Sequence, residues 1–203
     1  MIMKSNQIRL MFSVLLFSFM SFAAPVKKAS IAELASKGKW DEVRVMLEHK
    51  ANPDERGENP EKEFFIQEGV LTRNESRRPG PAAIHWACEV ANSEAIELLL
   101  KHKADANLYD HKGSTPLILL VNRSDETENT LAGVKLLLEH GAKVNLKSKE
   151  IPYFTALDYA KCRGHHKTEA LLEKAGATQN DSNWLAKACA ALPKPTVYRT
   201  EDF

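Results

Sequence analysis

The sequence predicts an all-α solenoid of four stacked helix pairs, and three observations predict it. First, a phrase recurs. Ala82-Ala83-Ile84-His85-Trp86-Ala87, Thr115-Pro116-Leu117 and Thr155-Ala156-Leu157-Asp158-Tyr159-Ala160 each open a short helical pattern. Second, each is followed by a leucine-rich helical pattern with a small-residue ending. These are Leu98-Leu99-Leu100 to Ala104, Leu136-Leu137-Leu138 to Gly141-Ala142, and Leu171-Leu172 to Gly176-Ala177. Third, the spacing is regular: Ala82 and Thr115 lie 33 residues apart. Self-similarity at that period marks a stack, because one helix pair cannot bury its apolar face alone.

In chain order, residues 1–23 come first. Lys4 and Arg9 precede the apolar run 10–20, and Ser21-Phe22-Ala23 follows. Charged, apolar and small-residue parts in that order read as a secretory signal peptide cleaved after Ala23. The run is shorter than the ~20 residues a membrane-spanning helix needs. The first unit, 29–54, has helices over 30–37 and 40–49 with Gly38 between them. From Ala29 to Ala82 is 53 residues, so about 20 are inserted, within 55–79. That insertion holds Phe64-Phe65-Ile66 and Val70-Leu71-Thr72 around Gln67-Glu68-Gly69, a pattern that can pair as a hairpin. The second unit is 82–107. The third, 115–145, has Thr115 as helix cap and Pro116 at the first helical position. Thr115 to Thr155 is 40 residues, and the extra seven split into five between the helices and two in the following turn. The fourth unit is 155–177. Residues 180–203 form an extension in which 184–189 suggest a short capping helix and Pro193-Lys194-Pro195 an extended tail.

These units resemble the ankyrin repeat family. The resemblance rests on the period, the Thr-Pro pair, His85 after the opening residues, and the Gly-Ala endings. It covers most of 24–179. It implies a four-unit ankyrin solenoid with a long loop after the first unit and atypical end units. It also implies a binding surface of turn tips and exposed inner-helix ends. Carried over by position, that surface is Arg78, Glu89, Val90, His111, Lys112, Ser114, Asn122, Arg123, Tyr153, Phe154 and Arg163. The aromatic and arginine members are residue types enriched in interface hot spots.

Composition narrows the function. The chain has net charge +1; residues 1–23 hold two bases and no acid, leaving 26 bases against 27 acids in the remainder. That balance gives no broad pull toward nucleic acid. No Gly-rich phosphate loop, Gly-x-Ser-x-Gly, His-Glu-x-x-His or Cys-x-x-Cys occurs. His49, His102 and His140 recur at the ends of second helices, which fits a repeat-template donor near a helix C-terminus rather than catalysis. Of the three cysteines, Cys88 reads as a packed thiol. Cys162 and Cys189 can pair in an oxidising compartment if the extension folds back.

The expectation is therefore a non-enzymatic, monomeric binding protein that needs no cofactor or metal. It is exported to the periplasm or secreted, has no membrane span once the signal is removed, and holds a protein partner on its concave face. Small exported ankyrin proteins are similar to immunity or inhibitor proteins and to protectors of stress enzymes. Two alternatives stay open: a secreted virulence factor that binds host proteins, and a metal- or redox-responsive module built on Cys162, His165, His166 and Cys189.

Overall fold

The computed structural model describes residues 29–57, 63–67, 70–74 and 80–192. The expected signal segment, Arg78 and the tail after Leu192 lie outside them. The first unit is α1 (Ile31–Ser36) and α2 (Trp40–Glu48). The second is α3 (Ala83–Glu89) and α4 (Ser93–Lys101). The third is α5 (Pro116–Val121) and α6 (Glu128–Glu139), and the fourth α7 (Ala156–Arg163) and α8 (His166–Lys174). A final helix, α9 (Ser182–Ala190), follows. Helices α1, α3, α5 and α7 form an inner row, continued by α9 against α7, while α4, α6 and α8 pack successively in an outer row. Among the described residues no helix is long and apolar enough to cross a membrane.

The insertion contains the anticipated hairpin. β1 (Glu63–Gln67) pairs antiparallel with β2 (Val70–Asn74), with Phe65 opposite Thr72 and Gln67 opposite Val70. Its first residues are stitched to the start of the second unit. Arg56 bridges Ala82, and Gly57 N donates to Pro81 O at 3.1 Å.

Local chemistry explains the helix boundaries. Ser30, Asn92, Thr115, Thr127 and Thr155 each cap a helix by accepting a backbone N–H three residues on. His49 and His140 donate from Nδ1 to the carbonyls of Val45 and Leu136 at 2.7 and 2.9 Å. Two of the three recurring histidines thus add a side-chain donor to a last-turn carbonyl that already accepts the same residue's backbone N–H. Beyond each outer helix the chain turns left-handed, at Lys50 (φ 60°), Lys103 (φ 68°), Gly141 (φ 85°) and Gly176 (φ 85°).

The core runs unbroken along the stack. Ile31, Leu47, Ile84, Ile96, Leu99, Ile118, Leu120, Leu137, Leu157 and Leu172 are all fully buried. Cys88 is buried among them as a free thiol, and burial pushes its pKa well above the usual thiol range.

Neighbouring units are joined by a side-chain ladder at equivalent positions. Asn107 accepts at Oδ1 from Lys143 N (2.7 Å) and donates from Nδ2 to Gly141 O (3.1 Å). Asn145 repeats this with Thr178 N (2.8 Å) and Gly176 O (3.1 Å). The first unit has Asp54 at that place. It accepts from Asp105 N at 2.9 Å, but a carboxylate has no N–H to give the neighbouring carbonyl.

Candidate partner-binding surface

The turn before each inner helix forms a finger, and the finger tips with the inner-helix ends make up the surface expected from the sequence. The opening residues of each inner helix set the finger's geometry. In the second unit, His85 Nδ1 accepts from Ala82 N at 3.0 Å, which places the ring proton on Nε2, 2.9 Å from Leu108 O. The ring therefore ties its own helix start to the next finger. Burial lowers its pKa, partly opposed by the bond to Leu108 and by Asp110. In the fourth unit Asp158 does the equivalent work with reversed polarity. It accepts from Thr155 N (2.8 Å), then from Asn180 N (3.0 Å) and Nδ2 (2.7 Å).

The fingers also brace one another. Tyr109 donates its hydroxyl to Lys147 O at 3.1 Å, and Lys149 lies 3.9 Å over the Tyr109 ring. Arg56 donates to Tyr109 O at 2.7 Å, so the insertion's first residues support the third unit's finger. Arg56, Tyr109, Asp110, His111, Lys149 and Glu150 line a cleft of about 360 Å³ between the fingers.

The expected contact residues divide into three groups. Glu89 and Val90, at the end of α3, are half-exposed, as is Ser114; Lys112 and Tyr153 are exposed. Burial raises the Glu89 pKa, with Lys112 and Arg123 opposing and Asp110 reinforcing.

A second group is engaged within the stack. Arg123, whose side chain is 11% exposed, donates to Glu89 O and lies 3.3 Å from Asp125. Arg163 reaches back one unit in the same way. Its Nη2 and Nε donate to Asn122 Oδ1 at 2.8 and 3.2 Å. Asn122, Arg123 and Arg163 are thus drawn together across units, each arginine covering the end of the preceding inner helix.

Two expectations are corrected. Phe154 is fully buried, packing edge-on against Tyr159 and Trp184 with ring centroids 5.1 and 5.4 Å away. The left-handed turn at Tyr153 (φ 57°) swings one aromatic ring out and the next in. His111 is also buried. Asp110 ties its turn closed through Ser114 N at 2.7 Å, and the neighbouring finger bonds Gly113 O through Lys149 N at 2.8 Å.

Cys162 and Cys189 are joined as a disulfide, with Cα atoms 5.2 Å apart, holding α9 on α7. Both thiols of the possible metal set are therefore consumed. His165 is buried beside Asp125 and Glu126 while His166 is exposed, so the two rings diverge. Among the described residues no group of three or more His, Cys, Asp or Glu is placed to hold a metal ion.

Several working residues were missed in the sequence. Asn107 and Asn145 stood in plain view inside the repeated phrases. Glu126 comes from the five-residue insertion of the third unit. Its carboxylate accepts from Thr168 N (2.6 Å) and Lys167 N (3.4 Å), capping α8, whose own N-cap His165 makes no such bond.

Residues 62–148 match the family model for ankyrin repeats (3 copies). A stretch of 85 residues is 40% identical to Ankyrin repeat and SOCS box protein 16 of Homo sapiens, covering 40% of this chain and 18% of that protein. A 53-residue stretch is 42% identical to Neurogenic locus notch homolog protein 1 of Mus musculus, covering 26% of this chain and 2% of that protein. The Danio rerio protein of the same name is 43% identical over 53 residues, again 26% of this chain and 2% of that protein. The chain spans less than a fifth of the length of these curated relatives. Repeats of this kind are protein-interaction modules that present extended concave surfaces. Period, capped helix pairs, inter-unit ladder and family match agree that residues 62–148 are built of ankyrin repeats within a helical solenoid.

Proposed function

We propose that the chain is an exported, non-enzymatic binding protein that holds a protein partner along its fingers and inner-helix ends. The observation that carries this reading is a division of labour among repeat positions. The recurring residues (Thr caps, His85 or Asp158, the Asn ladder) are spent on stacking. The non-recurring ones, Glu89, Val90, Lys112 and Tyr153, stand half-exposed or exposed along the expected surface. Variable side chains on a rigid, regular scaffold suit recognition.

Export is supported by two features: the signal-peptide pattern of residues 1–23 and the Cys162–Cys189 disulfide, a bond that persists in oxidising compartments. The compartment is the periplasm or the exterior. An immunity, inhibitor or protective role follows by analogy with small exported repeat proteins. A secreted factor that binds host proteins would use the same surface, and the identity of the partner separates the two.

The test is chemical cross-linking through lysines on the intact chain, exposed to its own cell envelope and, separately, to host extract, read by mass spectrometry. The reading expects one protein joined to Lys112, Lys147 or Lys149 and lost when Glu89→Lys and Lys112→Glu are combined. Cross-links that scatter over many proteins and over the outer helices, unchanged in that variant, would refute it.

A further inference from the structure

Tyr153 breaks two local rules at once. It stands two residues before the cap Thr155, as Gly113 stands two before Thr115, and both backbones are left-handed (φ 57° and 71°). Glycine is required at 113 for a second reason: a Cβ there would lie 2.5 Å from the Lys149 Cβ of the next finger. The fourth finger is followed instead by residues 178–181 leading into α9, which leaves room for a side chain. The left-handed conformation still disfavours any L-residue, and a bulky ring most of all. The ring is not used in the core either, being 51% exposed.

It has company. Four large hydrophobics are exposed among the described residues, and three of them, Ile151 (82%), Tyr153 and Trp184 (42%), belong to this end of the stack. Tyr153, Pro152 and Trp184 line a cleft of about 340 Å³ with Lys147, Asn180 and Asp181. Trp184 is braced from below by its edge contact with Phe154. The finger is also cationic. Lys143, Lys147 and Lys149 alternate along it, all exposed, and among the described residues none forms an ion pair. Lys147 bonds Asn180 Oδ1 at 2.9 Å instead. Glu150 is the one acid between 143 and 154, and Asp181 accepts from Trp184 N as the cap of α9.

Strained backbone and exposed aromatic rings persist where function requires them. We infer that the fourth finger and Trp184 form the anchor of the partner site, and that the partner offers an acidic segment with an apolar side chain for the Tyr153–Trp184 cleft. This rests on the protein-binding reading above. Buried aromatic contacts then supply most of the affinity, and the lysines supply steering and register.

The test selects random dodecapeptides displayed on phage against the intact chain, then measures their affinity by fluorescence anisotropy for the parent and for Tyr153→Gly. The variant relieves the left-handed strain, so it should melt above the parent, which separates lost binding from lost folding. The expected peptides place Asp or Glu around Leu, Phe or Trp. They should lose at least about tenfold in affinity on Tyr153→Gly and weaken further as salt rises. Peptides without acidic bias, or undiminished binding to the variant, overturn the anchor while leaving the protein-binding reading intact. So does a cross-linked partner still held by Tyr153→Gly. Binding of the parent to phosphatidylserine vesicles, lost in that variant, also overturns it, since the lysines would then serve a membrane. A parent that selects no peptide and cross-links no specific protein removes both readings.

Discussion

Replacing His85 with alanine tests how the fingers are held. The ring is 1% exposed and uses both nitrogens, accepting from Ala82 N at 3.0 Å and donating to Leu108 O at 2.9 Å. Removal leaves the N–H of Ala82, itself fully buried, without its acceptor. A buried unpaired donor costs about 1–3 kcal/mol, and the lost bond to the partly accessible Leu108 carbonyl about 0.5–1.5. Lost ring packing brings the expected destabilisation to about 3–5 kcal/mol. The effect should depend on pH. Burial holds the folded-state pKa of His85 below the ordinary 6.5. As pH falls below about 6.5 the unfolded chain takes up the proton first, so the parent loses the histidine's contribution as pH falls through the folded pKa. The alanine variant has nothing to lose there, and the gap between the two proteins must narrow. Urea denaturation followed by circular dichroism at pH 7.5 and pH 5 measures both. A gap under about 1 kcal/mol at pH 7.5, or one that widens on acidification, refutes the reasoning.

Three further outcomes are expected. Lys103 is left-handed where later units have glycine, so Lys103→Gly should add about 0.5–1 kcal/mol and raise the melting temperature by a few degrees; an unchanged or lower melting point would contradict this. Glu126→Ala removes the cap of α8 and should cost about 1 kcal/mol by chemical denaturation at pH 7. Burial pulls the Glu126 pKa up, but the N–H bonds from Thr168 and Lys167 outweigh it, and the net direction is below the usual 4.5. Its contribution is therefore present above that value and fades as pH falls through the lower folded pKa; a variant gap equally large at pH 3 would contradict the assignment. Changing Cys162 and Cys189 together to serine opens a closure of sequence separation 27, worth about 3.5 kcal/mol. The readout is protease cleavage between residues 178 and 192, and equal resistance in both proteins would show that α9 holds without the bond.

The sequence disclosed the parts of the fold that repeat, because repetition is itself a signal. Thr115 caps its helix, Cys88 is packed, and the extension folds back far enough to join Cys162 to Cys189. What it hid lies where units depart from the template. The fourth finger is two residues longer, so the sequence could not decide whether Tyr153 or Phe154 entered the core; one left-handed residue decides it. Arg123 and Arg163 had hot-spot chemistry, but an arginine is long enough to turn back on the preceding unit, and both do. Glu126 stood in an insertion whose destination, the start of the next outer helix, depends on tertiary placement.

The ladder also gives the stack a direction of failure. Asn107 and Asn145 each grip the following unit with two prongs, while Asp54 grips with one. In a quasi-one-dimensional array, stability is the sum of unit terms and nearest-neighbour couplings, so the junction with the weakest coupling melts first. Hydrogen exchange should therefore show the first helix pair opening ahead of the rest, as a fraying front that enters at the N-terminal end and halts at the second unit.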